Sequence, residues 1–131
     1  MQLHLEIIGV LLILLAIIHV VFPQYFNWKK ELSSLQLINR QMMYVHTFFI
    51  ALTVFLMGLL CLTSANELTL TPLGKKISLG LSFFWATRLV FQFFGYSSAL
   101  WKGKSFETIV HITFTGLWIY LSILFLLIFL T

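Results

Sequence analysis

Four apolar runs separated by short polar stretches organise this chain, covering about residues 5–22, 42–62, 77–96 and 108–130. Each is close to the ~20 residues a helix needs to cross a hydrocarbon layer of about 30 Å. Backbone amides in that layer find no water, so a spanning segment must be a helix or part of a closed barrel. The alternation of polar and apolar positions that marks barrel strands is missing, so the runs predict helices. Short connections make successive helices antiparallel neighbours. The expected fold is therefore all-α: an integral membrane four-helix bundle, up-down-up-down, forming a single transmembrane domain over residues 1–131.

The polar stretches give the expected boundaries. The first run is preceded by His4 and Glu6 and ends at Pro23, without the basic leader and small-residue cleavage site of a signal peptide, which predicts a retained helix. The segment from Asn27 to Arg40 mixes charge with Leu and Ile at helical spacing and is flanked by Tyr25 and Trp28, which predicts a short helix lying in the membrane interface between spans 1 and 2. Thr63 to Glu67 is expected to be a loop, and Pro72 and Gly74, just before Lys75 and Lys76, to mark a turn.

Composition narrows the class. Only 9% of residues are charged and 60% are hydrophobic, whereas a soluble domain carries about a quarter charged residues to wet its surface. The one cysteine, Cys61, lies in an apolar run, so no disulfide framework is possible. The net charge of +4 comes from basic residues flanking the apolar runs, a placement that suits lipid headgroups and excludes a nucleic-acid face. Lys29, Lys30, Arg40, Lys102 and Lys104 fall on one side of the predicted bundle, against Lys75 and Lys76 on the other. That bias predicts cytoplasmic placement of the two more basic loops, with both termini outside, as expected in a bacterial inner membrane. Tyr25, Trp28, Tyr44, Tyr96 and Trp101 gather on the same side as an aromatic belt.

The two halves echo each other: Trp28-Lys29-Lys30 resembles Trp101-Lys102-Gly103-Lys104, and Tyr44-Val45-His46 resembles Ile109-Val110-His111. A duplicated hairpin would make His46 and His111 equivalent. Gly9, Gly58, Gly80 and Gly116 are candidates for close helix approach, although no strict GxxxG pair marks a dimer face.

Polar residues inside spans carry the candidate chemistry. His19, His46 and His111 fall near the same predicted membrane face, and span 3 adds Arg88 and Gln92, one turn apart. Polar stripes run through Glu107, His111, Thr115, Trp118 and Ser122 in span 4, through Asn39, Met43, His46, Ile50, Thr53 and Met57 in span 2, and through Ser78, Trp85, Arg88 and Gln92 in span 3. Such stripes are expected to face the bundle interior. Arg88 needs compensation of at least a few kcal/mol; Glu107 is the carboxylate nearest by expected depth, and a haem propionate, lipid phosphate or substrate carboxylate is the alternative partner.

Three functional readings follow. In the first, His19, His46 and His111 ligate haem b or a transition metal, with Arg88, Gln92, Trp85 and Glu107 around the group, for electron transfer or redox chemistry on a lipid-soluble substrate. In size and membrane histidines the chain resembles small four-helix b-haem proteins. The second is a non-catalytic accessory or assembly subunit of a larger membrane complex, or a homo-oligomer, using a surface rich in its 14 phenylalanines. The third is a small transporter or proton relay. Lipids are the expected partners in all three, and no motif assigns an enzymatic activity. The bland alternative is that the histidines bond backbone or headgroups and that Arg88 snorkels past Gln92 and Tyr96 to water.

Overall fold

A computed structural model describes residues 1–131, with Ser98 described by its backbone alone. The chain is all-α, and its four long helices are apolar enough to cross a membrane: α1 (Gln2–Tyr25), α3 (Leu37–Thr63), α5 (Pro72–Phe94) and α6 (Ser105–Leu130). Two short helices, α2 (Trp28–Glu31) and α4 (Ala65–Leu70), lie between them. The outward surface has the character of a lipid-facing one, with Phe94 84% and Phe83 74% exposed. This is a small polytopic membrane protein.

The chain divides into two compact units, Gln2–Ala65 and Asn66–Thr131. The first is the α1–α3 pair. Gly9 lies against Leu62 and Gly58, and Gly58 against Leu12 and Ile13, near the start of α1 and the end of α3. At the opposite end Trp28 packs edge-on against Tyr44, with ring centroids 5.5 Å apart. The pair is therefore antiparallel. Its buried stripe is Leu5, Ile8, Gly9, Leu12, Leu15 and Ala16 on α1, with Ala51, Val54, Gly58 and Cys61 on α3.

The second unit is the α5–α6 pair. Contacts run from Ser82 with Ser122, through Trp85 with Trp118, to Gln92 with His111, so one helix descends as the other ascends. Ser82 Oγ donates to the Ser122 carbonyl across this interface at 2.7 Å.

Several boundaries differ from the sequence expectation. Helix α1 continues through Pro23, because one missing amide bond is tolerated when the surrounding turns hold, and it stops only at Asn27, which takes the left-handed conformation (φ 51°). Asn is among the few residues that enter this region readily. The Asn27 carbonyl then accepts from the Lys30 and Glu31 amides, so the predicted interfacial helix is a single turn and α3 begins at Leu37, earlier than the apolar run. Thr63 to Glu67 is not an open loop, since α4 starts at Ala65. Thr71 and Pro72 do not make a turn; they begin α5. Thr71 accepts the Gly74 amide at 2.9 Å and Pro72 fills the first turn, where its missing N–H is harmless. The backbone of Glu67 and Leu68 presses so closely on Gly74 that no side chain fits there.

The span 2 stripe is not the face that α3 packs against α1. From Asn39 through Met43, His46, Ile50 and Thr53 these positions are exposed. The hydroxyl that was meant to demand an interior partner finds one in its own helix: Thr53 Oγ1 donates to the Phe49 carbonyl at 2.8 Å.

Of the four glycines expected to permit close approach, two do so. A Cβ on Gly58 would sit 2.8 Å from the Gly9 carbonyl oxygen, whereas one on Gly80 or Gly116 would meet nothing within 4 Å. Gly58→Ala should therefore lower stability by about 1–3 kcal/mol through overpacking. Gly116→Ala should raise it by about 0.5–1 kcal/mol through its better helix propensity. Thermal melts of the two variants in one detergent distinguish these opposite signs.

Candidate polar site on the α5–α6 pair

The polar residues of α5 and α6 meet in one network, and its centre is Gln92. This side chain is buried. Its Oε1 accepts from Arg88 Nη1 and from Trp118 Nε1, both at 3.3 Å. With the oxygen occupied by two donors, the amide nitrogen is left to donate to His111 Nδ1 at 2.9 Å. A ring nitrogen that accepts carries no proton. His111 is thereby set as the neutral tautomer with its hydrogen on Nε2.

The connection between the helices fixes His111 from outside. Trp101 lies flat on the imidazole, with centroids 3.8 Å apart and planes 9° from parallel. Two features hold Trp101 there. Gly103 turns the chain with φ 78°, a value that glycine adopts without strain, and Thr108 Oγ1 donates to the Trp101 carbonyl at 2.6 Å. On the inner side, Thr115 Oγ1 donates to the His111 carbonyl.

Arg88 is partly buried, and its partners are all uncharged. Besides Gln92 it reaches Tyr96 Oη at 3.5 Å, and its guanidinium carbon lies 5.1 Å from the Trp118 ring centroid and 5.5 Å from that of Tyr96. Both hydrogen bonds are longer than the usual N–H···O range. The side chain thus leans towards the α5 C-terminal end, the direction of the predicted snorkelling path. Trp118 also stacks on Trp85, at 5.1 Å and 8°, and on Phe114, at 5.6 Å and 25°. Trp85 Nε1 is buried with no hydrogen-bond partner among the described residues.

The sequence-predicted residues divide accordingly. Arg88, Gln92, Trp85 and His111 are brought together. Glu107 is exposed in the first turn of α6 and is not among the partners of Arg88. His19 continues the buried stripe of α1, donates through Nδ1 to the Leu15 carbonyl at 2.9 Å and touches the Phe22 ring. His46 is exposed on α3, and the antiparallel register carries it roughly a helical turn beyond the level of His19 towards the α1–α3 connection. Among the described residues no three His, Cys, Asp or Glu side chains group as a metal centre. Trp101 and Tyr96 were expected only as interfacial anchors or snorkelling neighbours, yet both touch the network. Their position beside the end of the Arg88–Gln92 face was the available signal.

No family model, no curated protein and no solved structure matches this chain. What the site does must be read from its own chemistry.

Gln92 supports three neighbours at once, so Gln92→Leu should cost about 1–3 kcal/mol by stranding the Trp118 donor and the His111 acceptor. Ser82→Ala, which removes one interhelical bond, should cost about 0.6 kcal/mol. Unfolding in a mixed-micelle titration checks the ranking.

Proposed function

We propose that the α5–α6 pair holds the anionic group of a membrane-embedded molecule at Arg88. The carrying observation is a guanidinium within a span whose partners among the described residues are neutral and joined by long hydrogen bonds. Cation–π contacts contribute on the order of 0.5–2 kcal/mol each, and the two long hydrogen bonds add little. The insertion cost of about 2.5–3.5 kcal/mol at a helix centre is an upper bound for Arg88, whose guanidinium reaches back to Gln92 and Tyr96, so the protein's own groups offset much of it while leaving N–H donors of the fork uncommitted. Those donors match a phosphate or carboxylate, which a guanidinium engages in bidentate fashion.

In this reading the rest of the network positions Arg88. Gln92 anchors Nη1, His111 orients the Gln92 amide, and Trp101 holds His111. The tautomer favours such a role over metal ligation at His111, because Nδ1 is occupied by the Gln92 amide and Nε2 bears the proton. Binding of this kind is compatible with an accessory subunit as well as with a carrier of a lipid-soluble acid. We further infer a bacterial inner membrane with the α1–α3 and α5–α6 connections cytoplasmic, supported by the excess of Lys and Arg there.

One observation favours a second reading. His19 gives its Nδ1 hydrogen to a backbone carbonyl, which leaves Nε2 with a free lone pair, the usual arrangement of a histidine that ligates haem or a metal. A Soret band or stoichiometric metal in the purified protein, lost in His19→Ala, would establish that alternative.

Tryptophan emission tests the main proposal, since Arg88 sits over Trp118. Titration with an acidic amphiphile should shift the emission of the wild type and leave Arg88→Gln unchanged; equal responses would remove Arg88 from the site. Cysteines placed at Ser34 and Lys102 in a Cys61→Ser background should resist an impermeant maleimide in intact cells, while one at Glu67 reacts.

A further inference from the structure

Arg88 stands at the head of a groove that runs along one face of α5. The groove is an open depression of about 660 Å³ lined by Phe83, Phe84 and Phe91, with Gly80 at its far end and Arg88 and Tyr96 at its head. Every lining residue belongs to α5 or the residues just after it, so the groove is a property of this one helix. Gly80 has no protein atom within 4 Å of where a Cβ would be. A mid-span glycine that packs against nothing is disfavoured by propensity, and its effect here is to leave the groove floor bare.

The dimensions fit a single acyl chain. The guanidinium lies level with Gln92 and Tyr96, and from Gln92 to Gly80 the helix rises about 18 Å. Half of a hydrocarbon core is about 15 Å. The groove therefore runs from the interface to near the midplane, the path of one chain of one leaflet. Its walls are aromatic and apolar along that path, and its one charge is at the interfacial end. An acidic headgroup at Arg88 and Tyr96 with its chain over Gly80 satisfies both ends at once.

We propose that this groove is a binding site for an anionic phospholipid, its phosphate on Arg88 and Tyr96 and one acyl chain running past Phe91 and Phe84 to Gly80. The inference rests on the anion-binding reading of Arg88 and adds the class of molecule and the seat of its chain. A lipid with no phosphate or carboxylate, such as a diacylglycerol, fills the apolar part equally well and leaves the guanidinium unpaired, so the site discriminates by the presence of an acidic headgroup.

Native mass spectrometry of the full chain in a neutral detergent, titrated with dioleoyl phosphatidylglycerol, dioleoylglycerol or dihexanoyl phosphatidylglycerol, separates the two claims. Wild type should retain the long-chain acidic lipid at least about tenfold more tightly than either of the others. Gly80→Phe fills the floor without touching Arg88, and Thr87→Phe obstructs the same path from another position. Each should weaken long-chain acidic binding at least about fivefold and leave the short-chain lipid unchanged, while Gly116→Phe, in open space on α6, changes neither. Arg88→Gln should abolish the preference for the acidic headgroup. If Arg88→Gln removes that preference but both groove variants bind as the wild type does, the lipid seat is wrong and the anion reading survives. If Arg88→Gln has no effect, the anion reading fails and takes the lipid site with it. If the groove variants instead change the number of chains per particle, the occupant is a second copy of the protein, and the lipid proposal is overturned.

Discussion

Hydrocarbon offers a polar side chain no hydrogen-bond partner, so every donor and acceptor within a span must find one in the protein or lean towards the interface. Apart from the buried Trp85 Nε1, which has no partner among the described residues, this chain meets the constraint in two ways. Most hydroxyls turn back on their own helix: Thr53, Thr87, Thr115, Ser78 and Ser122 each donate to the carbonyl four residues earlier. Such bonds cost no interhelical geometry and leave the residue indifferent to which way it faces. The larger groups on α5 and α6 have no comparable local escape. They are drawn together around the Gln92 amide, whose two ends serve donors on one side and an acceptor on the other.

That single amide converts three separate demands into one arrangement. Gln92 fits because its oxygen and its nitrogen have opposite hydrogen-bonding character. Reversing the amide would set its NH₂ against Arg88 Nη1 and Trp118 Nε1, both of which only donate. The Arg88 position and the His111 tautomer are consequently linked, and aromatic surfaces seal the assembly: Trp101 over His111, and Trp85 against Trp118.

How much of this was legible in the sequence follows from which signals were local. The four spans were, because length and apolarity alone dictate them. The α5–α6 stripes were also legible, since Ser78, Trp85, Arg88 and Gln92 face Trp118, Ser122 and His111 at the spacing of one helical face. The span 2 stripe was misread for the reason just given: a threonine can bond its own backbone, so a polar residue need not face inward. Small residues on α3, namely Ala51, Gly58 and Cys61, mark the true contact face, and they carry no polar signature. The Thr71-Pro72 start of α5 was present as a capping pattern but resembled a turn, because the same residue types serve both. Glu107 was named as the counter-charge of Arg88 from depth alone, and depth does not report on which side of α6 a residue stands.

The purely structural account of Arg88 is that it locks the α5–α6 pair by lying over Trp118. Geometry tells against that as its whole purpose. A residue retained for locking would make short bonds to good acceptors, yet its hydrogen bonds are 3.3 and 3.5 Å and its guanidinium carbon lies 5.1 Å from the Trp118 ring centroid. Lysine could supply a cation over tryptophan; what arginine adds is a planar fork of N–H groups shaped for two oxygens. In this protein that fork stands at one end of an apolar groove, beside a tyrosine hydroxyl, and its hydrogen bonds to Gln92 and Tyr96 are both long. The feature that the helix pair does not use for its own cohesion is the one suited to recognising something else.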